Sequence, residues 1–294
     1  MTKEENTIKN DCNDKGQCQS QLAQERKNNH STGPKGPKPG GTQEWAVRSV
    51  NCCSGCSHDC RYCYAREMAV RYGQLKPEQW KEEKIRWKDV RKKYGRIDGT
   101  VMFPSSHDIT PHNLLACLIV LRKLLETGNR VLIVSKPHLE CIETICRAFE
   151  EHKAQILFRF TIGAMDNQIL SFWEPNAPSY DERKEALKHA FQKGFETSVS
   201  AEPMLDSGHI EDLVNDLMPF VTNAIWIGLM NHLKGITVED EAVKSALQKI
   251  RDGQSKERIM AIYQRLRGNA KIKWKSHIKK IVGIPLAEKA GMDR

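Results

Sequence analysis

From Trp45 onward the chain alternates short apolar runs with amphipathic stretches of helical period. Trp45–Val50, Thr100–Phe103, Val131–Ser135, Ile156–Ile162, Thr197–Ala201 and Ala224–Leu229 read as strands. Several are almost continuously apolar, as strands covered on both faces of a parallel sheet must be. Helices are predicted after most of them. Thr110-Pro111 offers an N-cap and a first-turn proline ahead of Leu114–Leu125, and Gly128 ends that helix. Leu139, Ile142, Ile145, Cys146 and Phe149 recur at helical spacing. Ser179 and Glu182 form a capping box, and Gly194 closes the helix they start. Six such β/α repeats make an α/β fold whose parallel sheet either curls into a barrel or stays open and doubly wound.

The flanks read differently. Residues 1–44 are rich in Lys, Asn, Gln and Gly and bury too little apolar surface to offset ordering, so they are expected to be a disordered basic and polar tail. Cys12 and Cys18 within it read as free thiols. The core is expected over 45–235, and 236–294 as a basic, helical C-terminal extension. Residues 76–99 carry Trp80, Trp87 and Tyr94 among many charges, and read as an exposed helical insertion with a narrow aromatic seam. Lys271-Ile-Lys-Trp-Lys275 alternates in strand fashion, as a half-buried strand or a polyanion-binding ribbon.

Charge and composition narrow the partners. The 294 residues carry a formal net charge of +9, which permits contact with nucleic acid or another polyanion. The pattern offers no leading apolar signal segment and no run long enough to cross a bilayer, so no membrane partner is expected. Ten cysteines without secretory features point to a reducing cytoplasm. Oligomeric state is not legible.

The candidate chemistry lies in Cys56-Ser-His-Asp-Cys60-Arg-Tyr-Cys63, three thiols at C-x3-C-x2-C spacing with Tyr62 before the last. Three thiolates on one loop can hold three irons of a cubane cluster and leave the fourth open. Zinc competes. Cys53/Cys56 with Cys60/Cys63, or the three thiols with Cys52 or His58, could complete a tetrahedral site. On that reading the chain is a non-catalytic, zinc-stabilised nucleic-acid-binding protein. Polar residues stand where the other strands end: Ser105-Ser106-His-Asp108, Ser135-Lys136, Thr161, Glu202 and Asn231. Active sites of parallel β/α barrels collect at those carboxyl ends.

Cys53-Ser-Gly-Cys-Ser-His-Asp-Cys-Arg-Tyr-Cys-Tyr-Ala-Arg66 resembles the cluster-binding signature of the radical S-adenosylmethionine superfamily. Glu174-Pro-Asn-Ala-Pro-Ser-Tyr-Asp-Glu-Arg183 resembles a segment of its spore-photoproduct-lyase-like subgroup. The resemblance runs from about Trp45 to about Asn231 and decides for a partial (β/α)6 barrel. It implies a [4Fe-4S] cluster on Cys56, Cys60 and Cys63, with S-adenosylmethionine on the open iron. Reductive cleavage there yields a 5′-deoxyadenosyl radical that takes hydrogen from a substrate, which the resemblance does not identify. It also implies an electron donor of flavodoxin or ferredoxin type. Arg183 is the implied partner of the methionyl carboxylate. Ser105, Ser106 and Asp108 stand at the place of the methionyl-amine contact, Thr161 and Glu202 at the ribose, and Tyr62 at the motif's aromatic position. No cysteine matches the subgroup's hydrogen-returning position. Cys117, Cys141 and Cys146 read as small buried hydrophobes.

Overall fold

The structure, a computed structural model, describes residues 39–238 and 240–292. The tail expectation for residues 1–38, with Cys12 and Cys18, lies outside the described residues. Two short strands open the fold, β1 (Arg48–Ser49) and β2 (Cys53–Ser54), and helix α1 (Tyr64–Arg71) follows the cysteine loop. Then come β3 (Lys84–Ile85), α2 (Trp87–Arg91), β4 (Thr100–Phe103), α3 (Leu114–Glu126), β5 (Arg130–Ser135) and α4 (Leu139–Ala148). The second half runs β6 (Ile156–Thr161), α5 (Asn167–Trp173), α6 (Tyr180–Gln192), β7 (Glu196–Ala201), α7 (Ile210–Leu217) and β8 (Ile225–Ile227). Helices α8 (Glu241–Gly253) and α9 (Lys256–Leu266), strand β9 (Ile272–Trp274) and α10 (Ser276–Val282) end it.

Seven strands pair in the order β1-β4-β5-β6-β7-β8-β9, every pair parallel. Alternate residues face opposite sides. Val101, Phe103, Val131, Ile133, Phe158, Phe160, Val199 and Ile225 pack under the helices in the main core. Met102, Leu132, Leu157 and Trp226 face the other way and pack with Trp45 inside the curl of the sheet. This is a partial barrel, open between β1 and β9.

Three details depart from the sequence reading. The Ile272–Trp274 strand, expected in a helical extension, is the seventh strand of the sheet and pairs with β8. Its edge position closes the core against α9 and α10, which bury Ile259, Ile262 and Ile278. Gly41–Glu44, expected in the tail, form a 3-10 turn, with Glu44 buried because Ser276 N–H and the Lys275 ammonium meet its carboxylate at 3.0 and 3.2 Å. Asn113, not Thr110, caps α3, because Thr110 N–H donates to the Asn113 side chain in the turn ahead of the helix. Ser179 does cap α6, accepting from Glu182 N–H, and Gly194 follows at φ +77°.

Candidate active site

The ends of these strands surround a cavity of about 530 Å³. Cys56, Cys60 and Cys63 line it together, while Cys52 and Cys53 do not. Cys52 Sγ lies 3.8 Å from Cys117 Sγ on the far side of the loop, and Cys53 belongs to the β2–β3 ribbon. Burial pushes the Cys60 thiol up to about 12, and raises Cys56 and Cys63 as well. Two buried thiols and a half-buried third facing one cavity become stable thiolates only beside a strong cation. Among the described residues, no three or more His, Cys, Asp or Glu side chains are arranged to hold a single metal ion. A tetrahedral zinc ion would need its sulfurs drawn to about 2.3 Å from one point, whereas a cubane spreads three cysteines over three irons. The donor set fits an iron–sulfur cluster.

The loop is held from behind by residues 76–99, which are mostly exposed as expected but form only one short α-helix, Trp87–Arg91, with Trp80 buried. Trp80 is buried against Cys56, Ala65 and Ala69, and its carbonyl accepts from Cys56 N–H at 2.8 Å. Gly55 can approach the Trp80 and Glu82 carbonyls because it has no Cβ, which would lie within 2.6 Å of both. One carboxylate, Glu83, accepts from Ser57, Thr110 and Asn113. Arg86 donates to the Asn51 carbonyl at 2.6 Å, while Trp87 stays half exposed.

His58, the possible fourth zinc ligand, is fully buried with both ring nitrogens engaged. Nδ1 lies 3.1 Å from Asp108 and Nε2 2.9 Å from His138. Asp108 also takes the Ser135 hydroxyl and the Lys136 N–H, the latter at 3.0 Å. Burial alone would raise its pKa, but His58, Lys136 and Ser135 together hold it well below the usual carboxylate range. Asp108 also lines the cavity, and these contacts tie it to the cysteine loop. Ser105 and Ser106 do face the cavity. Asn51 fixes them, its side-chain oxygen accepting both N–H groups at 2.7 and 2.9 Å.

The expectation for Arg183 is corrected. It lies outside the cavity, fully buried and neither on a solvated helix face nor free for a ligand. Its guanidinium meets Glu174 at 2.6 Å and donates to the carbonyls of Pro178 and Thr161. Glu174 accepts from the Tyr62 hydroxyl as well, so the two ends of the Glu174–Arg183 segment lock each other and the motif's aromatic residue. The cation that does face the cavity beside the cysteines is Lys136. Its ammonium lies 4.0 Å from Glu174 and 5.7 Å from the Tyr62 ring centre. Burial opposes its charge, yet the groups around it (Cys60, Tyr62, Glu174 and Asp108) raise its pKa well above the ordinary lysine value. Sequence placed Lys136 at a strand end without assigning it. Its signal was an ionisable residue directly after an apolar strand.

Thr161 and Glu202 line the opposite side with Trp45, Asn231 and Lys275. Lys275 bridges Glu202 at 3.3 Å and Glu44 at 3.2 Å, with its ammonium 3.8 Å from the Trp45 ring centre. Burial raises the Glu202 pKa against the pull of Lys275. Beneath them Arg159 sits between Trp45 and Trp226, at 4.5 and 5.1 Å, and burial lowers its pKa to about 9.

Residues 50–220 match the model of the radical SAM superfamily, more than half of the chain. The chain belongs to that superfamily. Its cofactors are a [4Fe-4S] cluster and S-adenosylmethionine. No curated protein sequence matches the chain. Among solved structures, a spore photoproduct lyase mutant with bound AdoMet and dinucleoside spore photoproduct is similar, at 17% identity and a TM-score of 0.45 over 69% of this chain. Streptococcus suis SuiB bound to S-adenosylmethionine is similar at 12% identity and a TM-score of 0.49 over 83% of this chain. The chain spans 60% of the former and 54% of the latter. No helix among the described residues is long and apolar enough to cross a membrane.

Proposed function

We propose that the protein is a radical S-adenosylmethionine enzyme of the spore-photoproduct-lyase-like subgroup. The observation that carries this reading is the convergence of Cys56, Cys60 and Cys63, and of no other cysteine among the described residues, on one cavity at the carboxyl ends of a parallel barrel. When bound, the cluster supplies the electron that splits the sulfonium C–S bond of S-adenosylmethionine.

The remaining chemistry is the chain's own. Cys56, Cys60 and Cys63 hold three irons. The Lys136 ammonium, beside them, meets the methionyl carboxylate in the role the sequence pattern gave to Arg183. Ser105 and Ser106, held by Asn51, face the methionyl amine. Thr161 and Glu202 take the ribose hydroxyls, with Lys275 orienting the Glu202 carboxylate. Tyr62 lines the same cavity with its hydroxyl tied to Glu174 and would pack against the cofactor. Burial of this wall excludes water from a reactive radical. A nucleic acid is consistent with the +9 charge as the hydrogen source, and the free thiols at every described cysteine suit a reducing cytoplasm.

The test is product analysis. Anaerobically reconstituted protein with a low-potential reductant should release 5′-deoxyadenosine and methionine, and more of both with substrate present. Oligonucleotides and cell extract, offered in turn, report the substrate class. No deoxyadenosine from cluster-loaded protein under several reductants would reject the proposal.

A further inference from the structure

Two cysteines that do not line the cavity face each other behind the cluster loop. Cys52 and Cys117 are both fully buried, and their sulfurs lie 3.8 Å apart. Cys52 leads directly into β2, ahead of Cys56, and Cys117 stands in the first turn of α3. Both backbones are pinned. Cys52 N–H donates to His107 Nε2 at 3.1 Å, and the Cys52 carbonyl accepts from Arg86 N–H at 2.8 Å. Cys117 N–H donates to the Asn113 carbonyl at 3.0 Å, and the Cys117 sulfur lies 3.2 Å from Asn113 Oδ1. The two thiols are unequal. The hydrogen bond from Cys117, with His107 assisting, lowers the Cys52 pKa to about 6 against the effect of burial. The same contact raises Cys117. Cys141 and Cys146 are buried too, but there burial pushes the thiols up to about 12.

We propose that Cys52 and Cys117 are a redox-active pair that closes to a disulfide under peroxide and is reopened by a dithiol reductant. An ionised sulfur in contact with a protonated one is the arrangement that oxidises readily. The Cys52 thiolate attacks one peroxide oxygen, the O–O bond breaks, and hydroxide leaves. Cys52 is then a sulfenic acid. The Cys117 sulfur attacks the Cys52 sulfur, and the S–S bond forms as the S–O bond breaks. The departing oxygen takes the Cys117 proton and leaves as water. The pair gives up two electrons, and the peroxide is reduced to water and hydroxide. Closing the gap to a disulfide length of about 2.05 Å draws the chain ahead of the cluster loop toward α3. Access is by local opening, because β2 pairs with β3 over only two residues on each strand. The site does not depend on the proposed function, since neither sulfur lines the cavity.

Differential alkylation with peptide mapping tests the pair in the full-length chain, purified without oxygen and then treated with hydrogen peroxide. The peptides carrying Cys52 and Cys117 should become linked, and dithiothreitol should free both thiols again. Within the same chain, Cys52 and Cys117 should lose alkylation about tenfold faster than Cys141 and Cys146. In Cys117→Ala the oxidation should stop at a Cys52 sulfenic acid, trapped by dimedone. In Cys52→Ala the Cys117 thiol should oxidise as slowly as Cys141. The mapping of the wild-type chain decides alone if either variant fails to fold. Cys52 and Cys117 thiols that persist as long as those of Cys141 and Cys146 would overturn the proposal. So would a disulfide that joins Cys52 to Cys53 or to a cluster cysteine, or Cys117 to Cys141. A cross-link that dithiothreitol does not open would overturn it as well.

Discussion

The two walls of the cavity are built in different ways. On the cysteine side three carboxylates each have several partners. Asp108 meets His58, Ser135 and Lys136, Glu174 meets Tyr62 and Arg183, and Glu83 holds three donors. The opposite wall hangs on Lys275, whose ammonium ties Gly41, Glu44 and Glu202 across separations of up to 234 residues. The first wall is over-determined, as a site must be when ligand geometry has to be held closely. The second joins the two ends of the fold across the cavity.

The largest effects should come from the first wall. Replacing Cys56, Cys60 or Cys63 by Ala should abolish or degrade the reconstituted cluster spectrum, while Cys52→Ala/Cys53→Ala should leave it intact. Loss of the cluster in that double variant would break the three-thiolate assignment. Arg183→Leu strands the Glu174 carboxylate in a dry site and should cost about 3–5 kcal/mol of stability in denaturant titrations. An undisturbed fold with weakened S-adenosylmethionine binding would return Arg183 to the cofactor. Lys136→Gln should leave the cluster and reduce S-adenosylmethionine affinity by about 1.5 kcal/mol, roughly tenfold, by calorimetry.

Acid should separate the walls further. Asp108 is held ionised below the usual carboxylate range, so its stabilisation is complete above the unfolded carboxylate pKa of about 4 and is lost as pH falls through its lower folded value. Asp108→Asn should therefore be less stable than the native chain at pH 7, with the gap closing in acid. A constant gap between pH 7 and pH 3 would show that its charge does not act this way. The second wall should respond as the first does to Arg183→Leu: Lys275→Met strands the buried Glu44 carboxylate and should cost about 3–5 kcal/mol in denaturant titrations.

Much of this was legible in the chain. The apolar runs set six of the seven main strands, and the three thiols marked the cavity, because local period and ligand spacing are short-range properties. Arg183 misled for a physical reason. A capping box fixes where a helix starts but not which way a side chain leaves it, and the partner that captured the guanidinium stands nine positions earlier. Residues 76–99 are largely solvated, as their charge density suggests, but Glu83 and Trp80 turn to the cysteine loop, which no local pattern marked. Glu44 and Lys275 left no sequence signal at all. Their contact depends on closing the sheet, which no local pattern records.

The central claim is that three cysteines leave one iron of a cubane open to S-adenosylmethionine. Its most direct test is the electron paramagnetic resonance spectrum of the dithionite-reduced, reconstituted protein before and after the cofactor is added. The account predicts about four irons per chain and a signal whose g-values move on addition of S-adenosylmethionine. A colourless protein with one zinc, or a cluster signal indifferent to the cofactor, would contradict it.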